Sequence, residues 1–270
     1  ANLQSAGISK MTAIGEALTQ FKAANKTVIA MANGYDQNQY FLASFADKIY
    51  LNNKGMVSLD GLSRYRLYYK AALEKLKVTT HVFRVGTFKS AVEPFIRDDM
   101  SEADKESSKA LLSDIWQSYA ATVAKNRKIA ADQLVLSADA YLEKLEQADG
   151  DSAQMAINMK WVDELVTADE FRLAMMKRVG VDKEGKNYRQ ISFNDYRTLT
   201  APQPKFVEND SIAVIVAKGN ILNGKQPAGE IGGESTSALL MKARFDPKVK
   251  AVVLRVDSPG GSAFASEQIR

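Results

Sequence analysis

Two short segments of this 270-residue chain carry residue types that can do chemistry. In Arg84–Phe95 a single lysine, Lys89, stands among Val85, Phe88, Val92 and Phe95, with Val82 and Phe83 just before. A lysine ammonium has a reference pKa of about 10.4 and becomes a base only where desolvation disfavours its charge. A three-unit fall corresponds to about 4 kcal/mol. The apolar neighbours are expected to supply the dry surroundings. In the second segment an apolar strand runs into Asp257-Ser258-Pro259-Gly260-Gly261, and a helix is predicted after it. Glycines let the backbone turn sharply and let a substrate approach closely. A helix N-terminus presents unpaired N–H groups to developing negative charge, as an oxyanion hole requires. A base and an oxyanion site together imply acyl transfer, yet no serine or cysteine nucleophile is evident between them.

Each segment also has a plainer reading. Lys89 fits a surface lysine at a helix start with only its stem covered. Glu93, one turn on, is placed to pair with it and keep it charged. Asp98 and Asp99 fit a solvated surface. The Ser-Pro-Gly-Gly stretch fits an ordinary strand-to-helix turn, with Ser258 and Ser262 as turn and cap residues. No Gly-Lys-Ser/Thr ending is present, which excludes a P-loop. The one histidine, His81, follows Thr79 and Thr80 in an apolar strand and reads as a hydrogen-bonded structural residue rather than a base.

Composition narrows the chemistry further. There are no cysteines, which excludes disulfides, thiolate catalysis and cysteine-based zinc sites within the chain. One histidine excludes a multi-histidine metal centre, and no cofactor or metal is expected. The net charge of +4 is small and spread along the chain, unlike the basic stripe of a nucleic-acid binder. Hydrophobic residues make up 46%, enough for one large domain or two modest ones. No apolar run reaches the ~18 residues that span a bilayer. The start Ala1-Asn2-Leu3-Gln4 has neither the charge nor the apolar core of a signal peptide, and it lacks a methionine. A piece of a longer protein is expected, with any anchor outside it.

The elements that must position these segments alternate between strands and helices, which predicts an α/β layout. Met11, Ile14, Leu18 and Phe21 give a helix that Ser9 can cap. Strands are predicted at 27–32, 49–51, 56–59 and 78–85, with a helical stretch around Phe41 and an amphipathic helix over 64–77. Ser101 and Asp104 have the form of a capping box at the head of a helix over 101–126. Further helices at 138–147, 152–160 and 167–179 make a helix-rich insert. Thr200-Ala201-Pro202-Gln203-Pro204-Lys205 is the expected linker, because two prolines cannot continue a helix. A second α/β stretch follows, with strands at 211–216 and 251–256, a helix at 235–244 and another from Ser262 onward that the chain end interrupts.

Val82–Met100 and Val249–Ser262 together resemble the long form of the signal peptide peptidase A (protease IV) family, serine–lysine proteases of the bacterial envelope. The likeness extends over nearly the whole chain. It implies an α/β fold of the Clp protease/crotonase type, in two tandem units. Residues 1–204 would be the later part of the first unit and 205–270 the opening of the second. It implies that Lys89 is the general base. Gly261 would donate to the oxyanion hole, with Gly260 allowing the turn. The nucleophilic serine would lie beyond Arg270. The matching place in the first unit falls near Gln37, within Met31–Tyr40, and an amide there cannot act as a nucleophile.

The resemblance further implies an endopeptidase that degrades cleaved signal peptides, with apolar peptides as partners. A homotetramer would be anchored in the bacterial inner membrane, with its catalytic domain on the periplasmic side. A crotonase-type acyl-CoA enzyme and a non-catalytic scaffold are the alternatives. The first would bind CoA, and the second would have a natural C-terminus at Arg270.

Overall fold

The computed structural model describes residues 6–201 and 210–270. The start at Ala1–Gln4 and most of the expected linker, Pro202–Lys205, lie outside them. The chain divides into two compact units, Ala1–Gln190 and Ile191–Arg270.

The first unit is built on a parallel three-stranded sheet in the order β1 (Ile29–Ala32), β2 (Lys48–Leu51), β3 (Glu164–Leu165). Ile29 pairs with Lys48, and Leu51 pairs with both Ala32 and Leu165. The helix α1 (Ile8–Ala23) and the short α2 (Gln37–Ala43) precede β2. The cap of α1 is Gly7, not Ser9, and it has no side-chain bond; Met11 and Gly15 are buried while Ile14 and Phe21 stay exposed. Between β2 and β3 the chain makes α3 (Lys70–Lys75), α4 (Glu93–Ile96), α5 (Glu102–Arg127), α6 (Ala138–Glu146) and α7 (Ser152–Asn158). After β3 comes α8 (Ala168–Val179), headed by a full capping box between Thr167 and Glu170.

The core lies between the sheet, α2, α5 and the α7–β3 connection. Tyr40, Phe41, Ile49, Leu51, Val123, Leu134, Met155 and Trp161 are its largest fully buried side chains. Each such residue is worth about 1.5–3 kcal/mol over an exposed one. The Tyr40 hydroxyl donates to the Trp161 carbonyl at 2.8 Å, whereas the Trp161 indole N–H is buried without a partner among the described residues. Arg127 donates to Asp163 at 2.6 Å, and Asp163 accepts from the Ile49 amide at 2.7 Å, which ties α5 to β2.

Two predicted elements around Lys89 do not form as expected. The helix predicted over 64–77 is only Lys70–Lys75, and residues 61–69 form neither helix nor strand. The predicted strand 78–85 does not form and has no ladder partner, and the strand at 56–59 reduces to one bridge, Val57 with Tyr35. Strand-forming side chains favour an extended backbone, but a strand needs a neighbour to bond.

The second unit opens with α9 (Phe193–Thr200). Its strands β4 (Ser211–Lys218) and β7 (Val249–Asp257) pair in parallel, from Ile212 with Ala251 to Lys218 with Asp257. The short strands β5 (Ile221–Leu222) and β6 (Ile231–Gly232) pair beside them in sequence. The helix α10 (Gly233–Phe245) packs on β4, β7 and α11 (Ala263–Ile269). Alternation along β4 buries Ile215 and Ala217 and leaves Ile212, Val214 and Val216 exposed. Among the described residues, no helix is long and apolar enough to cross a membrane.

Candidate functional site

Lys89 lies in the first unit, at the end of a turn that starts at Gly86. Gly86 has φ +104°, a conformation open to glycine, and the Lys89 amide donates to its carbonyl at 3.4 Å. A single 3-10 turn, Ser90–Val92, and then α4 follow. The lysine side chain is exposed, and among the described residues its Nζ makes no ion pair or hydrogen bond. The dry surroundings expected from its neighbours are not supplied within this chain. Phe83 is 96% exposed and Val85 90%, and Phe88 and Phe95 are exposed as well. The reason is the missing ladder, which leaves residues 78–88 with no layer to pack against.

Glu93 does not pair with Lys89. It is buried, with 1% of its surface exposed, and Arg84 Nη1 lies 3.7 Å from its Oε1. Its Oε2 accepts from the Ser101 amide at 3.1 Å. The box expected at the head of α5 is therefore shared differently. Ser101 accepts from the Asp104 amide at 3.1 Å as predicted, but the carboxylate that returns to the cap amide is Glu93. Asp104 turns instead to Arg64, at 3.4 Å. Asp98, though exposed, caps the approach to α3 by accepting from the Ala71 amide at 2.9 Å. His81 is exposed and has no hydrogen-bond partner among the described residues. The expectation of a hydrogen-bonded histidine in a strand fails because that strand has no neighbour.

Gln37, at the first position of α2, is a structural residue here. Its Nε2 donates to the Gly61 carbonyl at 3.0 Å, and its Oε1 accepts from the Gly61 amide at 2.8 Å. The Tyr119 hydroxyl donates to the Gln37 carbonyl at 2.8 Å, so α5 holds the same spot.

Gly260 and Gly261 lie together in the second unit, between β7 and α11. The Ile221 amide donates to the Gly260 carbonyl at 3.0 Å, and the Ser262 amide donates to the Ile221 carbonyl at 2.8 Å. Gly261 thereby bridges to Ile221 of β5. A Cβ on Gly261 would sit 2.1 Å from the Ile221 carbonyl oxygen, so only glycine fits this approach. Gly260 has φ +116° but open space where its Cβ would be. The Gly260 amide donates to Ser258 Oγ at 3.1 Å. The Gly261 amide makes no hydrogen bond among the described residues. Ser262 caps α11 through the Ala265 amide at 3.2 Å, and its hydroxyl donates to Asn223 Oδ1 at 2.6 Å. Ser258 and Ser262 thus serve as the turn and cap residues that the sequence suggests.

The residues that fix these two places but escaped the sequence reading are Arg66, Arg84 and Ile221. Arg66 donates to the Ser90 carbonyl at 2.9 Å and to the Ala91 carbonyl at 2.8 Å. Arg84 donates to the Lys89 carbonyl at 3.2 Å. No local signal marks such bonds, since their partners are backbone groups, 24 and 25 residues away for Arg66 and 39 and 41 for Ile221.

Comparison with known proteins bears on both segments. The model of peptidase family S49 matches residues 20–182. The chain is 47% identical over 269 residues to "Protease 4" of Salmonella typhi, covering all of this chain and 43% of that protein. It is 43% identical over 268 residues to "Protease 4" of Haemophilus influenzae, covering 99% of this chain and 43% of that protein. With "Serine protease SPPA, chloroplastic" of Arabidopsis thaliana it shares 26% over 274 residues, which covers 97% of this chain and 38% of the relative. The chain therefore spans less than half the length of these curated relatives. The match over residues 20–182 takes in β1, β2 and β3, the Lys89 turn and most of the helical insert, and on it the chain belongs to peptidase family S49, with that family's mixed α/β, Clp-protease-like fold.

Proposed function

We propose that this chain is part of a serine–lysine endopeptidase that hydrolyses apolar peptides, signal-peptide remnants among them. Lys89 is its general base, and the Gly261 amide is a donor to its oxyanion hole. The single observation that carries the reading is the Gly261 turn. A backbone N–H stands without a partner among the described residues, at a residue that backbone bonds to Ile221 hold and that has no room for a side chain of its own. A preorganised donor of this kind stabilises charge that appears only in the transition state. Family membership and the relatives named as proteases support the reaction class.

In this mechanism neutral Lys89 takes the proton of a serine hydroxyl, and the oxygen attacks the peptide carbonyl. The C–N bond then breaks, the amine leaves with that proton, and water releases the acyl group from the serine. The serine is supplied by polypeptide beyond Arg270, in a second tandem copy of the α/β unit. The bonds of Gln37 to Gly61 fit a first copy that has kept the architecture and lost the nucleophile. Covering Phe83, Val85 and Phe88 would desolvate the lysine. The whole enzyme is read as a membrane-anchored homotetramer with its catalytic domain on the periplasmic side of the bacterial inner membrane.

The test is Lys89→Ala in the full-length protein. Hydrolysis of an apolar peptide should be lost while the thermal unfolding midpoint holds. Normal turnover by this variant would end the assignment of the base.

A further inference from the structure

The Lys89 turn has no sheet to hold it, so something else must fix the backbone from which the lysine extends. Two guanidinium groups do so. Arg84 donates to the Lys89 carbonyl at 3.2 Å, and Arg66 donates to the Ser90 and Ala91 carbonyls at 2.9 and 2.8 Å. Three consecutive carbonyls, beginning with that of the lysine itself, each receive an arginine N–H. Arg84 is in turn placed by Glu93, 3.7 Å away, and Glu93 is fully buried and bonded to the Ser101 amide. A buried carboxylate left without its cation is strongly disfavoured, so the guanidinium and the carboxylate hold each other in place. Planar arginine suits this task, because its fork of donors can serve a carbonyl and a carboxylate at once.

We infer that Arg84, anchored by Glu93, is a positioning residue that sets where the Lys89 amine stands in the peptidase reaction. The inference rests on the assignment of Lys89 as the base. A general base must come within hydrogen-bond reach of the proton it removes. A displacement of 1 Å far from the chemistry can lower a rate about 10²-fold. The hydrogen bond of Arg84 to the lysine goes to its backbone carbonyl, so its loss is expected to move the base rather than remove it.

In the full-length protein, Arg84→Ala should lower kcat about 10²-fold on an apolar peptide substrate. KM should stay near its original value, and added guanidinium ion at non-denaturing concentration should restore part of kcat. Glu93→Gln keeps an acceptor for the Ser101 amide and nearly the same volume, so it should lower kcat in the same direction by a smaller factor. If Arg84→Ala does not fold, Glu93→Gln carries the test alone. Unchanged kcat in the variant that folds would overturn the inference, as would a loss of kcat in Arg84→Ala that guanidinium leaves untouched. Lys89→Ala separates the two claims. An inactive Lys89→Ala beside a fully active Arg84→Ala defeats only the positioning role, whereas an active Lys89→Ala defeats the base assignment on which it rests.

Discussion

The turn at Lys89 and the turn at Gly261 are both short and both lead into a helical element, yet they are held by different means. At Gly261 the backbone does the holding. Two hydrogen bonds to Ile221 and a 2.1 Å clearance to its carbonyl leave the residue no alternative. At Lys89 the backbone bonds are few, and side chains hold instead, with Arg84 and Arg66 reaching three carbonyls. Steric necessity at one turn and long polar side chains at the other predict different responses to mutation. The first should fail abruptly with one methyl group. The second should fail gradually and be open to chemical rescue.

The largest effect on activity is expected at the reacting groups. Lys89→Ala should cost at least about 10³-fold in kcat, in the upper part of the range for general bases. Gly261→Ala should come next. Its Cβ would force Ile221 away and misdirect the amide, so a loss of about 10²–10³-fold is expected in peptide hydrolysis. A clear fall in the unfolding midpoint should accompany it.

Gly260→Ala sharpens the contrast within the same turn. Its Cβ meets nothing within 4 Å, so only the φ of +116° is strained. A destabilisation of about 1–3 kcal/mol is expected, measured by denaturant unfolding, with most activity retained. Equal effects at the two glycines would show that strain, not clearance, governs the turn.

The smallest effects concern pH and global stability. Burial pushes the hydroxyls of Tyr35, Tyr40 and Tyr119 well above their ordinary 10.0. The folded state therefore holds these protons more tightly than the unfolded chain. Stability from this source is whole below pH 10 and is lost progressively as pH rises above it. The Val28 amide, with Lys22 beside it, lowers Asp47 below its ordinary 3.8. The amide of Gln154 does the same for Asp151, and that of Thr167 lowers Glu170 below its ordinary 4.5. Their contribution is present above those values and declines as pH falls through them. Because these carboxylates are solvated, the acid limb should be shallow. Unfolding midpoints measured across pH should therefore form a plateau with a steeper fall on the alkaline side, and a steeper acid fall would contradict this assignment.

Much of the framework could be read from the sequence. The apolar runs of β1, β2, β4 and β7 and the periodicity of α5 lie close to their predicted positions. Residue type and spacing point to the Lys89 segment and the Ser258–Gly261 turn only as candidates; the roles of base and oxyanion donor come from the family resemblance. What failed is instructive. Glu93 stands four residues after Lys89, the spacing of a helical ion pair, but the chain between them makes a 3-10 turn before α4 begins, and the carboxylate turns inward to Arg84. Val78–Val85 has the composition of a strand and forms none. The short β5, whose Ile221 fixes Gly261, has no periodicity to reveal it.

The sequence by itself determined local preference: which runs extend, which coil, and where glycine permits a turn, because these depend on each residue's own side chain and its near neighbours. Only the tertiary structure decided which groups meet. It set Arg84 against the Lys89 carbonyl, Glu93 beneath the Ser101 amide, and Ile221 so close to Gly261 that a methyl group has no room. Such meetings depend on the path of the chain in space, and separations of 5 to 40 residues leave no periodic trace in the order of the amino acids.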